Sequence, residues 1–156
     1  MKNLTLEDAI KWRESFTGQV VVTNGVFDML HPGHVQYLIK ARAKGDALVI
    51  ALNSDKSVKE LKDPRRPIIC EEERIFMLEA LECVDKIVLF SDKRALNTIA
   101  VLRPDVYVKG GDYTIDTIDQ GERKALEDMN ATIDFISFKD GFSTTAMIQK
   151  IVDLYG

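Results

Sequence analysis

Short runs of apolar, mostly β-branched residues recur along the chain, separated by longer segments of mixed polarity. Within the runs polar and apolar positions do not alternate, and this is typical of strands buried on both faces of a parallel sheet. Asn24 and Gly25, a turn-forming pair, end the first run. The pattern predicts five strands, at residues 19–23, 47–52, 86–90, 105–108 and 132–138.

Between these runs, apolar positions recur at helical spacing. An opening helix is predicted to be capped by Thr5 and to turn Leu6, Ile10 and Trp12 inward. Further helices are predicted at residues 32–44, 54–61, 71–81, 92–102 and 120–129, and from residue 143 onward. Asp92 is the predicted cap of the fourth of these. The last helix carries an apolar stripe of Met147, Ile148, Ile151 and Val152.

Strands that alternate with helices predict a single α/β domain, a doubly wound, five-stranded parallel sheet flanked by helices in the Rossmann-like manner. The domain takes in residues 1–156, with residues 1–18 as an N-terminal helical extension. Ligands of such sheets bind outside the carboxyl ends of the strands, where the winding direction reverses. The glycine-rich, polar loops at 24–34 and 109–114 are therefore the candidate binding loops.

Charge and composition narrow the possible partners. With 21 Lys and Arg against 25 Asp and Glu, the formal net charge is −4, and without a basic run a nucleic-acid partner has no electrostatic support. No apolar run is long enough to span a bilayer, and no signal-peptide pattern is present. Cys70 and Cys83 form no CxxC pair. We expect a soluble, cytoplasmic protein with both cysteines reduced; a disulfide between the two is the alternative.

The two histidines of the chain both lie in the first candidate loop, in His31-Pro32-Gly33-His34. Pro32 suits the first position of a helix, so His31 is expected near the N-cap and both rings on one side of the helix start. A helix N-terminus attracts anions, and Gly25 lets the backbone approach a phosphate. A metal site would need a third ligand. A purely structural role, in which a histidine only caps the helix, is the simpler alternative. The pair favours an anion site.

The stretch GVFDMLHPGH, residues 25–34, resembles the HxGH signature of the cytidylyltransferase-like nucleotidyltransferase superfamily. The resemblance runs from about residue 20 to residue 151. It implies catalytic roles for His31 and His34. It also implies nucleotide binding by Asn24, Gly25, Val26, Phe27, His31, Gly33 and His34. Asp28 is expected to orient a ring, help hold a metal or fix the loop.

Two further motifs extend the resemblance. Ser143, Thr144 and Thr145 read alone as an N-cap, but in the superfamily the start of this last helix holds the nucleotide's phosphates. The loop of Lys109, Gly110, Gly111 and Asp112, which could be a simple turn, corresponds to the loop that contacts base and ribose. With Tyr113 it resembles heptose 1-phosphate adenylyltransferases, and this favours ATP over CTP.

Acceptor-side residues are assigned by the same resemblance. Lys62, in a basic, proline-rich segment that could equally be a solvated loop, matches a catalytic lysine that closes over the phosphates. Asn53 and Asp55 match the acceptor loop, although Asp55 could also cap a helix. Arg74 fits a substrate-binding arginine, and a helical pair with Glu71 is the simpler alternative.

The resemblance implies transfer of AMP from ATP to a sugar 1-phosphate, with release of pyrophosphate, in nucleotide-sugar or lipopolysaccharide biosynthesis. Mg²⁺ is expected with the ATP, held mainly by nucleotide and water rather than by protein ligands. One alternative is a cytidylyltransferase acting on glycerol 3-phosphate or another polyol phosphate, and another is a non-catalytic nucleotide-binding regulatory domain. Relatives are often homodimers, so a homodimer is a possible state.

Overall fold

The computed structural model describes residues 1–137 and 143–156. In these residues six strands form one parallel sheet: β1 Asn3–Leu4, β2 Val20–Gly25, β3 Ala47–Asn53, β4 Lys86–Phe90, β5 Val106–Gly110 and β6 Thr132–Ile136. The strand order is β1-β4-β3-β2-β5-β6. The predicted doubly wound α/β domain is confirmed, with one strand more than the five expected. The predicted end of the last strand at Phe138 lies outside the described residues.

Helices cover both faces of the sheet. Their bounds are α1 Leu6–Ser15, α2 Pro32–Arg42, α3 Asp55–Leu61, α4 Glu71–Glu79, α5 Leu96–Leu102, α6 Gln120–Asp128 and α7 Thr144–Tyr155. His31, Ser54 and Ser143 cap α2, α3 and α7, each accepting a hydrogen bond from a backbone N–H of the first turn. Such caps satisfy N–H groups that have no partner within the helix.

Side chains of each strand alternate between two apolar layers. On β3, Leu48 and Ile50 join a core under α2 and α4, whereas Val49 and Ala51 join a second core under α1, α5 and α6. Every residue of β3 is buried. This two-sided burial explains why the strands are apolar throughout.

The sheet reverses its winding between β2 and β5. From β2 the chain proceeds to β3 and then β4 on one side, and it returns to place β5 and β6 on the other side. Thr23 pairs with Val108 in the register of β2 and β5, so the two candidate loops leave neighbouring strand ends. The predicted position of a binding crevice is therefore present in the fold.

The unpredicted strand β1 lies at one edge of the sheet, beside β4. Asn3 pairs with Ile87, and the Ile87 N–H donates to the carbonyl of Lys2 at 2.9 Å. The Glu79 carboxylate accepts from the backbone N–H groups of Lys2 and Asn3 at 3.1 and 2.9 Å. Two residues are too few to show a period, so no sequence pattern could reveal this strand.

Two predicted details differ from the structure. In α1, Leu6 and Ile10 are exposed, because the face of the helix that meets the sheet carries Ala9 instead; of the three predicted residues, only Trp12 packs on the core. Asp92 does not cap α5, which begins at Leu96; its carboxylate accepts instead from the Asn97 side chain at 2.8 Å. The predicted α7 is present, and none of its residues is buried.

Other expectations concern cysteines and membranes. Cys70 and Cys83 are free thiols, as expected. Across the described ranges, none of the helices combines the length and the apolar character that crossing a bilayer requires.

Candidate active site

A pocket of about 400 Å³ opens at the carboxyl ends of β2, β3 and β5. The predicted site residues that line it are Asn24, Gly25, Val26, Phe27, His34, Asn53, Lys62, Lys109, Gly110, Thr144 and Thr145. Seven predicted site residues do not line the pocket in the described part of the chain: His31, Gly33, Asp55, Arg74, Gly111, Asp112 and Ser143. Residues from four loops and the start of α7 therefore meet in one place.

The two histidine rings stack against each other. Their centroids lie 3.8 Å apart with an angle of 18° between the planes, and the His31 Nδ1 accepts from the His34 N–H at 3.3 Å. His34 faces the pocket, whereas His31 is buried behind it. Phe27 packs edge-on against His34, with centroids 5.3 Å apart. The expectation that both rings project from one side of the helix start is met, but only His34 reaches the pocket.

Burial keeps both imidazoles neutral. It lowers the pKa of His31, and burial together with the neighbouring His31 lowers the pKa of His34 to about 4, although Asp28 acts in the opposite direction. At neutral pH the rings therefore offer N–H donors rather than positive charge. An anion placed beside them would favour the protonated form and reverse part of this shift.

Asp28 joins the histidine loop to the segment that carries Lys62. One carboxylate oxygen accepts from Arg66 Nε at 2.7 Å and from the Ile68 N–H at 2.9 Å, and the other accepts from the Ile69 N–H at 2.9 Å. Burial alone would raise the pKa of Asp28, but these backbone and guanidinium contacts together lower it. Of the three roles expected for Asp28, these contacts support fixing the loop.

The first turn of α7 meets the same loop. Thr144 Oγ1 donates to the Asp28 carbonyl at 2.8 Å, and Ser143 caps the helix by accepting from the Ala146 N–H at 3.0 Å. Ser143 is thus a cap, while Thr144 and Thr145 face the pocket. Phe142, which directly precedes these residues in the sequence, lies outside the described residues. We call Asp28, His31, His34 and Thr144 the histidine wall.

The other wall is built around a cation, Lys109, whose side chain is only 15% exposed. Lys109 Nζ donates to the Asn24 side-chain oxygen at 2.9 Å and to the Glu122 carboxylate at 3.3 Å. The Tyr107 hydroxyl donates to the same Asn24 oxygen at 2.7 Å. Tyr107 and Glu122 are buried, and burial with the nearby Glu122 carboxylate raises the pKa of Tyr107 well above its usual range. We call Asn24, Tyr107, Lys109 and Glu122 the lysine wall.

At two positions of the binding loops the structure shows why the residue is glycine. Gly111 has φ 109°, a conformation that favours glycine, and its N–H donates to the Ile136 carbonyl at 3.1 Å. At Gly25 a Cβ would lie 2.8 Å from the Phe27 ring, so close packing of Phe27 gives this glycine a second role besides the predicted approach to phosphate. Asp112 is exposed.

The acceptor-side predictions divide. Asn53 lines the pocket, and its amide donates to Ser57 Oγ at 2.9 Å. Arg74 is fully buried and donates to the carbonyls of Val26 and Asn53 at 2.6 and 2.8 Å, and to the Asp55 carboxylate at 2.8 Å.

These contacts concern three predictions. The Arg74 guanidinium joins protein loops and does not line the pocket in the described part of the chain, so its contact with substrate stays a prediction. Its ion pair is with Asp55 and not with Glu71, whose carboxylate accepts from the Asp55 N–H at 2.6 Å. The Asp55 carboxylate serves Arg74 and does not line the pocket.

Comparison with known proteins gives the site its context. The sequence matches the cytidylyltransferase-like family over residues 22–150. The chain belongs to the cytidylyltransferase-like family. This confirms the resemblance inferred from the HPGH loop. The matched range begins in β2, before that loop, and ends within α7.

Relatives in this family cover the whole chain. The bifunctional protein HldE of Geobacter sulfurreducens is 48% identical over 157 residues, which are 100% of this chain and 32% of that protein. The bifunctional protein HldE of Helicobacter acinonychis is 44% identical over 154 residues, 99% of this chain and 32% of that protein. The chain thus spans about a third of the length of the curated relatives it matches.

Solved structures agree with the fold. A lipopolysaccharide core biosynthesis protein from Thermoplasma volcanium aligns with a TM-score of 0.64 at 26% identity, over 79% of this chain and 98% of that one. The pantoate-beta-alanine ligase of Francisella tularensis aligns with a TM-score of 0.65 at 12% identity, over 98% of this chain and 78% of that one. At this lower identity the likeness shows the fold alone.

Sequence reasoning missed some pocket residues of this cytidylyltransferase-like site. Tyr37, Arg66 and Tyr113 line the pocket. The Tyr37 hydroxyl lies 2.6 Å from Thr23 Oγ1 and donates to the Val108 carbonyl at 3.1 Å. Arg66 and Tyr113 lie in the same sequence segments as the predicted site residues Lys62 and Gly110. Their closeness in sequence to these residues could have indicated that they belong to the site. Tyr37, one helical turn beyond His34 on α2, could have been found from the same spacing.

The protein groups around the pocket do not form a metal-binding cage. In residues 1–137 and 143–156, no group of three or more His, Cys, Asp or Glu side chains is arranged to hold a metal ion. Both oxygens of Asp28, which lines the pocket, already accept hydrogen bonds from protein donors. That Mg²⁺ arrives with a nucleotide stays a prediction.

Proposed function

We propose that this protein transfers AMP from ATP to a sugar 1-phosphate and releases pyrophosphate. The observation that carries the proposal is that His34, Lys62 and the first turn of α7 line a single pocket at the winding reversal of the sheet. This places hydrogen-bond donors, a cation and a helix N-terminus around a volume suited to a nucleotide. Membership of the cytidylyltransferase-like family supports nucleotidyl transfer.

The triphosphate is proposed to lie between the His34 ring and the start of α7. The first N–H groups of a helix have no partner within it and attract phosphate oxygens. Thr144 and Thr145 offer such groups on one side, and His34 offers a ring donor on the other. His31 supports His34 by stacking behind it. Base and ribose then extend toward Asn24, Lys109 and Gly110.

The reaction needs no protein nucleophile. An oxygen of the acceptor's phosphate attacks the α-phosphorus of ATP, the bond between that phosphorus and the bridging oxygen to the β-phosphorus breaks, and pyrophosphate leaves with the bond's electrons. The attacking oxygen is already anionic at neutral pH, so no general base is required. Catalysis then consists of positioning and stabilising negative charge, which His34, Lys62 and the helix N-termini supply.

The acceptor is proposed to enter on the side of Asn53 and Lys62. Lys62 is exposed at the end of α3 and lines the pocket, so it can approach both the acceptor phosphate and the leaving pyrophosphate. ATP and a heptose-like sugar 1-phosphate follow from the resemblance of the loop at residues 109–113. Magnesium is proposed to come with the triphosphate, and a homodimer is a possible state because relatives are often homodimers. A cytoplasmic setting is part of the same proposal.

The test is pyrophosphate release by the purified protein, measured with ATP and with CTP against sugar 1-phosphates and polyol phosphates. We expect turnover with ATP and a heptose 1-phosphate, and a rate about a hundredfold lower from a His34→Ala variant, which excludes a contaminating enzyme. Turnover with CTP and glycerol 3-phosphate instead would replace the proposal by the cytidylyltransferase alternative. Tight ATP binding without turnover on any acceptor would support a regulatory domain.

A further inference from the structure

Glu122 is a buried carboxylate that the proposed reaction does not use. Glu122 lies in the first turn of α6, where the Asp119 cap accepts from the Glu122 N–H at 3.0 Å. Glu122 is only 4% exposed. Its side chain points away from solvent toward β5, where it accepts from Lys109 Nζ at 3.3 Å and lies 3.3 Å from the Tyr107 hydroxyl, whose single proton goes to Asn24. A charge buried to this degree needs partners such as these.

The lysine wall fixes how the Asn24 amide is turned. Lys109 Nζ has only protons to offer, and with the Tyr107 hydroxyl it approaches the same side-chain atom of Asn24, at 2.9 and 2.7 Å. That atom must be the acceptor, the oxygen. The amide nitrogen then occupies the other branch of a side chain that lines the pocket. Asn24 thus offers its N–H donors to a ligand.

Glu122 stands at the base of this arrangement. It carries the countercharge of Lys109 and contacts the Tyr107 hydroxyl. Without that carboxylate, the Lys109 ammonium group, whose side chain is only 15% exposed, would lose its countercharge, and the Tyr107 hydroxyl would lose a neighbouring contact.

We propose that Glu122 is a positioning residue for nucleotide binding, acting through Lys109 and Tyr107 to hold Asn24 with its donors toward the ligand. This rests on the proposed function, because it assigns the ligand of the pocket as a nucleotide. A purely structural ion pair would affect only folding, whereas a positioning residue also changes affinity for the nucleotide.

The experiment measures the dissociation constant of a non-hydrolysable ATP analogue by calorimetry, together with the melting temperature. We expect Glu122→Gln to weaken binding about fivefold, the difference between a charged and a neutral hydrogen-bond partner. Glu127→Gln is the matched control, since its carboxylate lies on the same helix and pairs with Arg123 at 2.7 Å on the surface. It should leave the dissociation constant unchanged.

A double-mutant cycle shows whether the effect passes through Lys109. In a Lys109→Met background, Glu122→Gln should change the dissociation constant by less than about twofold. Full additivity of the two substitutions would overturn the proposal, and so would a Glu122→Gln protein that melts earlier but binds normally. If Glu122→Gln does not fold, Tyr107→Phe removes one donor to Asn24 and should weaken binding about threefold; unchanged binding by that variant also overturns it. A wild-type protein that fails to bind the analogue would refute the proposed function instead.

Discussion

The two walls of the pocket handle charge in different ways. On the histidine wall the rings are neutral, since burial lowers the pKa of both, and the one charge, on Asp28, is balanced by Arg66. On the lysine wall a cation is present, but the buried Glu122 carboxylate lies 3.3 Å from it. Each wall is therefore close to neutral, by opposite means.

This difference locates the positive charge that a triphosphate would meet. Of the three pocket cations, Arg66 and Lys109 have carboxylate partners, whereas Lys62 makes no ion pair within the described ranges and is exposed. The helix N-termini add partial positive charge. The buried walls thus supply directed donors, and a surface side chain supplies net charge.

The largest effect is expected at the histidine wall. His34→Ala should lower kcat by about a hundredfold, because it removes a donor that stabilises charge in the transition state. Affinity for a non-hydrolysable ATP analogue should hardly change. Steady-state kinetics and calorimetry measure the two quantities. A His34→Ala enzyme with normal turnover would contradict the mechanism.

Lys62→Met should lower kcat/KM by about thirtyfold, because it removes the unpaired cation. The loss should shrink as salt is added, since exposed charges are screened. Lys59→Met, at another exposed lysine of α3, is the control and should change kcat/KM little. Equal losses for the two variants would show that general surface charge, rather than Lys62, acts on the nucleotide.

Asp28→Asn tests how the histidine wall is anchored. Asn offers one acceptor where three protein donors converge, so we expect the free energy of unfolding to fall by about 1.5 kcal/mol, as urea denaturation would measure. Asp63→Asn breaks an exposed pair with Arg65 in the same segment and should have little effect. A stability of Asp28→Asn equal to that of the control would show that these contacts do not anchor the loop.

The smallest effect, taken per pH unit, is the pH dependence of stability. Because the pKa of His34 falls from 6.5 in the unfolded chain to about 4 in the folded protein, the unfolded state binds more protons between these values. Stability should therefore drop as pH is lowered through this window, by about 1 kcal/mol per pH unit. The drop should be smaller in His34→Gln, measured by urea denaturation across the window. A pH dependence identical in both proteins would show that His34 is not buried in its neutral form.

Local features of the sequence predicted most of the fold and the histidine wall. The caps at His31 and Ser143, and the strands that end at the pocket, depend on neighbouring residues. The contacts that were missed join distant segments: Arg74 reaches Val26, 48 positions away. Spacing alone cannot reveal such a contact. It also cannot distinguish a buried arginine that joins loops from one that meets a substrate.

The lysine wall shows the same limit. Lys109 stood out because it follows a strand, but Glu122 looks like any acid in the first turn of a helix, where the dipole favours it. Only the packing of α6 on β5 brings its carboxylate to Lys109. The neutrality of the imidazoles likewise depends on burial, which the motif does not encode.

The two-residue strand β1 has a consequence for behaviour at high concentration. By pairing with β4, it covers backbone groups that would otherwise stand open at the edge of the sheet. Open edges recruit strands from other molecules. A chain trimmed of residues 1–4 would keep its pocket residues yet present Ile87 and its neighbours as a template for self-association, so aggregation rather than lost chemistry would be its first defect.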